Sequence, residues 1–164
     1  MRGALVVGGL VLVLAVPNAL IVQKERLLAE GTPVLLELAP VDPRSLVQGD
    51  YMRLDYAITR QIADSQQRWP RTGQIVVALD ENGVARFVRR HDGHTRLGPR
   101  ERLLTYRRRE GRMRIGTDAF HFQEGRASHY QRARYGEVRV APSGTSVLVG
   151  LRDSTRKPMG GPGR

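Results

Sequence analysis

Gln74-Ile-Val-Val-Ala-Leu-Asp80-Glu-Asn-Gly-Val84-Ala-Arg-Phe-Val-Arg-Arg90 reads as two short apolar runs, 74–80 and 84–90, hinged at Glu81-Asn82-Gly83. Asn-Gly between such runs supplies the positive φ angles of a tight turn, so the stretch predicts an antiparallel β-hairpin. The same grammar recurs on either side. Arg102–Arg109 and Arg112–Gly116 turn at Glu110-Gly111, and Glu137–Val140 and Thr145–Leu151 turn at Ala141-Pro-Ser-Gly144. Toward the N-terminus, Pro33–Ala39 sets Val34, Leu36 and Leu38 on one face, and Tyr51–Thr59 does so with Met52, Leu54, Tyr56 and Ile58. Gln61–Arg68 reads as the only sizeable helix of this part. Runs at roughly 8–12-residue spacing leave no room for crossover helices, so the fold class is mainly β: a small antiparallel β-sandwich or partly closed β-barrel.

The first thirty residues follow a different rule. Gly3–Gln23 is a run of 21 residues without formal charge, almost wholly aliphatic over 5–7, 10–16 and 20–22. At about 1.5 Å rise per residue it spans roughly 30 Å, the hydrocarbon thickness of a bilayer. The run is too long for a cleaved leader, and Pro17-Asn18-Ala19 puts proline where a cleavage site wants a small residue, so an uncleaved signal anchor is expected. Arg2 on one flank balances Lys24 and Arg26 on the other, and charge alone leaves the orientation open. Three regions result: an anchor helix with a short extension over 1–30, a β domain over 31–152, and a basic tail over 153–164 expected to be disordered.

The 164 residues carry 27 Lys+Arg against 16 Asp+Glu, a net charge of +11 with pI near 11.2. Only Lys24 and Lys157 are lysines, a bias that a G+C-rich coding sequence also produces. The densest charge is Arg100–Arg114. Alternation along one strand puts Arg107 and Arg109 on one face and Arg108 on the other, which argues against a continuous stripe. With Tyr106 the only neighbouring aromatic, the cluster reads first as a solvated face, with anionic headgroups the nearest partner if the charge has one and nucleic-acid binding disfavoured. The absence of cysteine excludes disulfides, thiol nucleophiles and Cys-ligated metal centres.

Chemistry-bearing patterns are sparse. His91-Asp-Gly-His94 has chelating spacing, with His121 and His129 elsewhere, but Asp92-Gly93 reads first as a turn, and no metal or cofactor is expected. Ser45, Ser128, Ser143 and Ser146 lie in no nucleophile elbow. Asp50, Asp55 and Glu124 form an acid/base pair only if folding brings them together. Pro43-Arg-Ser-Leu-Val-Gln-Gly49-Asp50 looks like the box after the catalytic serine of bacterial signal peptidases. Position 40 is Pro40, however, and no lysine base lies between Lys24 and Lys157.

Gly49-Asp50-Tyr51-Met52-Arg53-Leu54-Asp55-Tyr56 fits G-D-Y-x-x-L-x-Y and resembles the GDYXXLXY family of bacterial membrane-anchored proteins. The resemblance continues at Asp42–Leu46 and at Phe120–Gly125, where Gln123 departs from an expected proline. It resumes at Ala133–Val140 and Val147–Leu151. It implies an anchor in the bacterial cytoplasmic membrane, a domain on the periplasmic side, and association with a multi-spanning membrane protein. No enzyme activity is implied. The positions it singles out are Gly49, Asp50, Tyr51, Leu54, Tyr56, Glu124 and Gly125. Leu54 and Tyr56 read as core packing and Gly49, Asp50 and Gly125 as turn geometry. Tyr51 and Glu124 are the candidates for a working surface, although a structural clasp between the Tyr51 hydroxyl and the loop carboxylate is the first expectation for them.

The expected function is a membrane-anchored accessory or binding module without established chemistry. Its rivals are an enzyme or ligand-binding cleft joining Asp50 and Glu124, and arginine-mediated binding of anionic lipid or nucleic acid.

Overall fold

The computed structural model describes residues 2–39, 47–48, 51–63, 68–117 and 119–160, with backbone alone for 2–12 and 47–48. Helix α1 (Arg2–Glu30) contains Pro17 and runs straight into the sheets. Gly31 ends it by donating its N–H to the Leu27 carbonyl at 3.0 Å, and its own carbonyl accepts from Arg139 Nη1 at 3.1 Å. Strand β1 (Thr32–Glu37) begins at the next residue, so helix and sheet share a one-residue joint. Among the described residues no helix is long and apolar enough to cross a membrane. The described side chains begin at residue 13, so they take in the charged end, with Lys24, Glu25, Arg26 and Glu30, and leave out residues 3–12 of the apolar run.

The rest is mainly β, with three antiparallel sheets wrapped as an open half-barrel around one core. In the first sheet β1 pairs with β9 (Tyr135–Val140), β9 with β10 (Ser146–Arg152), and β10 with β11 (Pro158–Gly160). Strict alternation in β9 buries Gly136, Val138 and Val140, and the register sets Val34 opposite Val138 and Leu36 opposite Gly136. The second sheet is small: β2 (Val47–Gln48), β3 (Tyr51–Arg53) and β8 (Ala119–His121), with β3 central. The third runs in the order β5 (Ala85–Arg90), β4 (Thr72–Leu79), β6 (Glu101–Arg109), β7 (Arg112–Ile115). A parallel bridge from Leu35 to Val84 ties the first sheet to the third. Ile75, Val77, Leu104, Tyr106, Met52, Phe120, Tyr130, Val34 and Leu36 meet in the middle, all nearly inaccessible to solvent.

Turn chemistry explains the hairpins. At Asp80–Gly83 the Asp80 carboxylate accepts the N–H groups of Asn82 and Val84 at 2.8 and 3.0 Å, and Gly83 at φ 76° returns the chain. Gly83 alone takes the left-handed conformation there, whereas the sequence suggested that Asn82 would share it. Glu110 (φ 51°) and Gly111 (φ 76°) make the two-residue turn joining β6 and β7, at the expected position.

Three expectations need correction. The run 51–59 is a strand only over β3. Tyr56 then makes a single bridge to Leu38, and helix α2 (Ala57–Ala63) follows, with Ile58 and Ile62 buried one helical turn apart. That helix begins four residues before the one read at 61–68, of which 64–67 lie outside the described residues. Residues 153–160 are not a disordered tail. The Asp153 carboxylate accepts from the N–H groups of Thr155 and Lys157 and from the Thr155 hydroxyl, closing a turn. Strand β11 then lays half-buried Met159 against the core, an anchor too short to show as a periodic run.

One ion pair clamps the third sheet across its central strand. Glu101 accepts from Arg89 Nη1 and Nη2 at 2.6 and 3.0 Å and from the Gly98 N–H at 3.0 Å. The Arg89 guanidinium, helped by the Gly98 amide, holds the Glu101 carboxyl at about 2. A lowered folded-state pKa stabilises fully above the ordinary carboxylate value of 4.5, and the benefit disappears as pH falls through about 2. Glu101→Gln therefore lowers Tm at neutral pH and flattens the fall in Tm on acidification. Parallel Tm-against-pH curves for variant and wild type would refute the clamp.

Candidate functional site

The motif residues divide by face. Gly49 and Asp50 lie outside the described residues, so the Gly49-Asp50 turn carries no structural description. Leu54 and Tyr56 are buried, at 6% and 2% exposure, on the core side. Tyr51 is half-buried on β3, directly opposite His121 of β8, and the two rings meet at a tilt of 34° with centroids 5.8 Å apart. Glu124 is exposed in the turn after β8, where Gly125 takes φ 81°.

Two clefts flank the β6–β7 hairpin. The first, of about 450 Å³, lies between α2 and β7 and is lined by Arg53, Asp55, Arg60, Arg112 and Arg114, with Arg60 and Asp55 paired at 3.6 Å. The second, of about 660 Å³, is lined by Lys24 of α1, Arg107 and Arg109 of β6, Arg114 of β7, His121, and the hydroxyl residues Thr105, Thr145 and Ser146. Ser146 Oγ is shielded from solvent and lacks a hydrogen-bond partner among the described residues. Glu124 lines neither cleft, and among the described residues no carboxylate lines the second. The Tyr51–His121 ring contact thus links the motif strand to the edge of this cationic cleft.

Cross-strand register builds the cationic face. Arg107 stands opposite Arg114 and Arg109 opposite Arg112, so all four project from one side of the hairpin. Tyr106, Ile115, Arg108 and Met113 share the other side, where Tyr106 and Ile115 enter the core. Alternation along β6 holds, with Arg108 on the side away from Arg107 and Arg109, and the partner strand adds Arg112 and Arg114 to the side of the latter two. Tyr106, fully buried, is no platform for a stacked base.

The family model described as GDYXXLXY protein matches residues 13–151. The chain belongs to the GDYXXLXY family. The match runs from within α1 to the penultimate residue of β10, so β11 lies beyond it. No curated protein and no solved structure matches the chain. For this GDYXXLXY protein, therefore, the geometry of its own residues carries the functional argument.

The remaining candidates resolve locally. The Asp92 carboxylate accepts from the His94 and Thr95 N–H groups and the Thr95 hydroxyl, contacts that hold it well below the usual carboxylate range and mark a turn. His91 Nδ1 lies 4.0 Å from Asp92 and His94 is exposed. His129 instead bonds the Met159 carbonyl at 3.0 Å, far along the chain from that turn. Among the described residues no group of three or more His, Asp or Glu gathers in metal-binding geometry.

Proposed function

We propose that this GDYXXLXY protein is a membrane-tethered binding module of the bacterial cytoplasmic membrane, with its β domain on the periplasmic side beside a multi-spanning partner. The observation that carries the reading is the sleeve of α1. Val13, Leu14, Val16, Leu20, Ile21 and Val22 are each 45–65% exposed, and they surround the helix rather than forming one stripe. A helix apolar all round needs a nonpolar surrounding, and the uncharged run extends back to Gly3. The polar group within the run is satisfied internally, since Asn18 Nδ2 donates to the Leu14 carbonyl at 2.7 Å. Family membership supports the side and the partner through the resemblance alone.

Alkaline carbonate extraction of membranes tests the tether. The protein is expected to stay in the pellet, and its release into the supernatant would overturn the reading. A periplasm-dependent reporter fused after Leu151 is expected to be active, and crosslinking in native membranes is expected to capture a multi-spanning protein. The rival pairing of Asp50 with Glu124 draws no support from the described residues, since Asp50 lies outside them and Glu124 lines neither cleft.

A further inference from the structure

We infer that the β domain lies on an anionic bilayer surface, with Arg107 and Arg109 of β6 in the headgroup layer beside Lys24. The inference rests on the tethered reading and adds to it the face that touches the membrane.

Depth comes first. Lys24 is the first charged residue after the uncharged run, so in a tethered protein its ammonium sits at headgroup level. Gly31 lies seven residues further on, and at about 1.5 Å per residue the joint with β1 stands roughly 10 Å farther from the bilayer. A domain that began at the joint and grew away from it would leave Lys24 uncovered. Instead α1 packs along β9 and β10, and Lys24 lines one cleft with Arg107, Arg109 and residues Thr145, Ser146, Val147 and Leu148. The β domain therefore flanks the helix back down to the depth of Lys24. Both backbone polar groups of Gly31 are hydrogen-bonded, which holds helix and sheet in this relation.

Charge selects the surface. Arg107 and Arg109 are exposed, and neither they nor Lys24 form an ion pair among the described residues. Elsewhere in the sheets arginine is neutralised, Arg89 by Glu101 at 2.6 Å and Arg152 by Glu137 at 2.8 Å. Among the described residues no carboxylate lines the wall that Arg107, Arg109 and Lys24 share. An anionic surface attracts each nearby arginine or lysine by about fivefold, and the attraction decays within about 8 Å at physiological salt. Cations held at the level of Lys24 fall inside that range.

The chain has no cysteine, so one substitution carries a unique fluorophore. Full-length Thr145→Cys, labelled at an exposed position on the cleft wall, is reconstituted into phosphatidylcholine vesicles with and without phosphatidylglycerol, all containing lipid spin-labelled at the headgroup. Val16→Cys, labelled within the apolar sleeve, goes into the same vesicles with acyl-chain spin labels. Quenching at position 16 is expected in both lipids. Quenching at position 145 is expected with phosphatidylglycerol, and to fall several-fold without it or when salt rises from about 50 mM to about 1 M. Arg107→Gln/Arg109→Gln lowers the ratio of docked to undocked domain about 25-fold and removes most of that quenching. Arg107→Lys/Arg109→Lys retains it, and so does Arg96→Gln/Arg100→Gln, which removes the same charge from exposed positions lining neither cleft.

Quenching at position 145 that is absent, indifferent to phosphatidylglycerol and salt, or equally reduced by both Gln pairs overturns the docking. So does its loss in the Lys pair. An unquenched label at position 16 overturns the tether and the docking together, which separates that failure from failure of the docking alone. Lipid and salt dependence are read with the native arginines in place, so the result stands even where a Gln pair does not fold.

Discussion

Tyr56→Ala lowers the free energy of unfolding by about 3–5 kcal/mol, the loss expected for deleting a buried aromatic ring. The last tyrosine of the family motif is 2% exposed and lies against Gly136, near the start of β9. A Cβ added at Gly136 would stand 3.0 Å from the Tyr56 Cε1 and 3.3 Å from its hydroxyl oxygen. Ring and glycine are therefore one fitting. Gly136→Ala is expected to cost about 1–3 kcal/mol by overpacking. In a Tyr56→Leu background the same alanine costs less. Urea unfolding of the four proteins checks it, and additivity to within about 0.5 kcal/mol would sink the coupling.

Gly73→Ala is expected to destabilise by about 2 kcal/mol or more, again through a tyrosine. A Cβ there would stand 2.6 Å from the Tyr106 hydroxyl and 2.9 Å from Cζ. Tyr106 cannot swing aside, because it is fully buried and its ring meets Trp69 edge-on at 5.5 Å. The hydroxyl has no hydrogen-bond partner among the described residues, and burial raises its pKa. Tyr106→Phe removes an unsatisfied group and is expected to leave stability unchanged or raise it. Combined with Gly73→Ala it recovers part of the loss. A double variant no more stable than Gly73→Ala alone would show that the clash lies elsewhere.

What the sequence made legible was local. Glu110-Gly111 and 141–144 announce their turns because the residues that can adopt the conformation are few, and the alternation of Gly136, Val138 and Val140 announces β9 because one face must be dry. The boundary at Ala57 was hidden because Tyr56 and Ile58 keep the alternating phase of β3, and only Ile62, one helical turn beyond Ile58, shows the change of period. Strand β11 was hidden because its contribution is a single side chain, Met159, in a Gly/Pro-rich context. The cationic face was hidden for a different reason. Which arginine stands opposite which depends on the register across the Glu110-Gly111 turn, and that pairing is a property of two strands together. At the motif itself the sequence separated core from surface by alternation, and it had no means of placing His121 against Tyr51.

The joint at Gly31 has one further consequence. A flexible linker gives a domain a radius within which it tumbles freely, and that radius grows with the number of loose residues. Here the count is one, and its N–H and carbonyl are both committed, to Leu27 and to Arg139. The β domain therefore has no swivel. Any tilt or rotation of α1 is transmitted as torque to β1 and β9, and whatever fixes the heading of the helix fixes the direction in which the hairpin points.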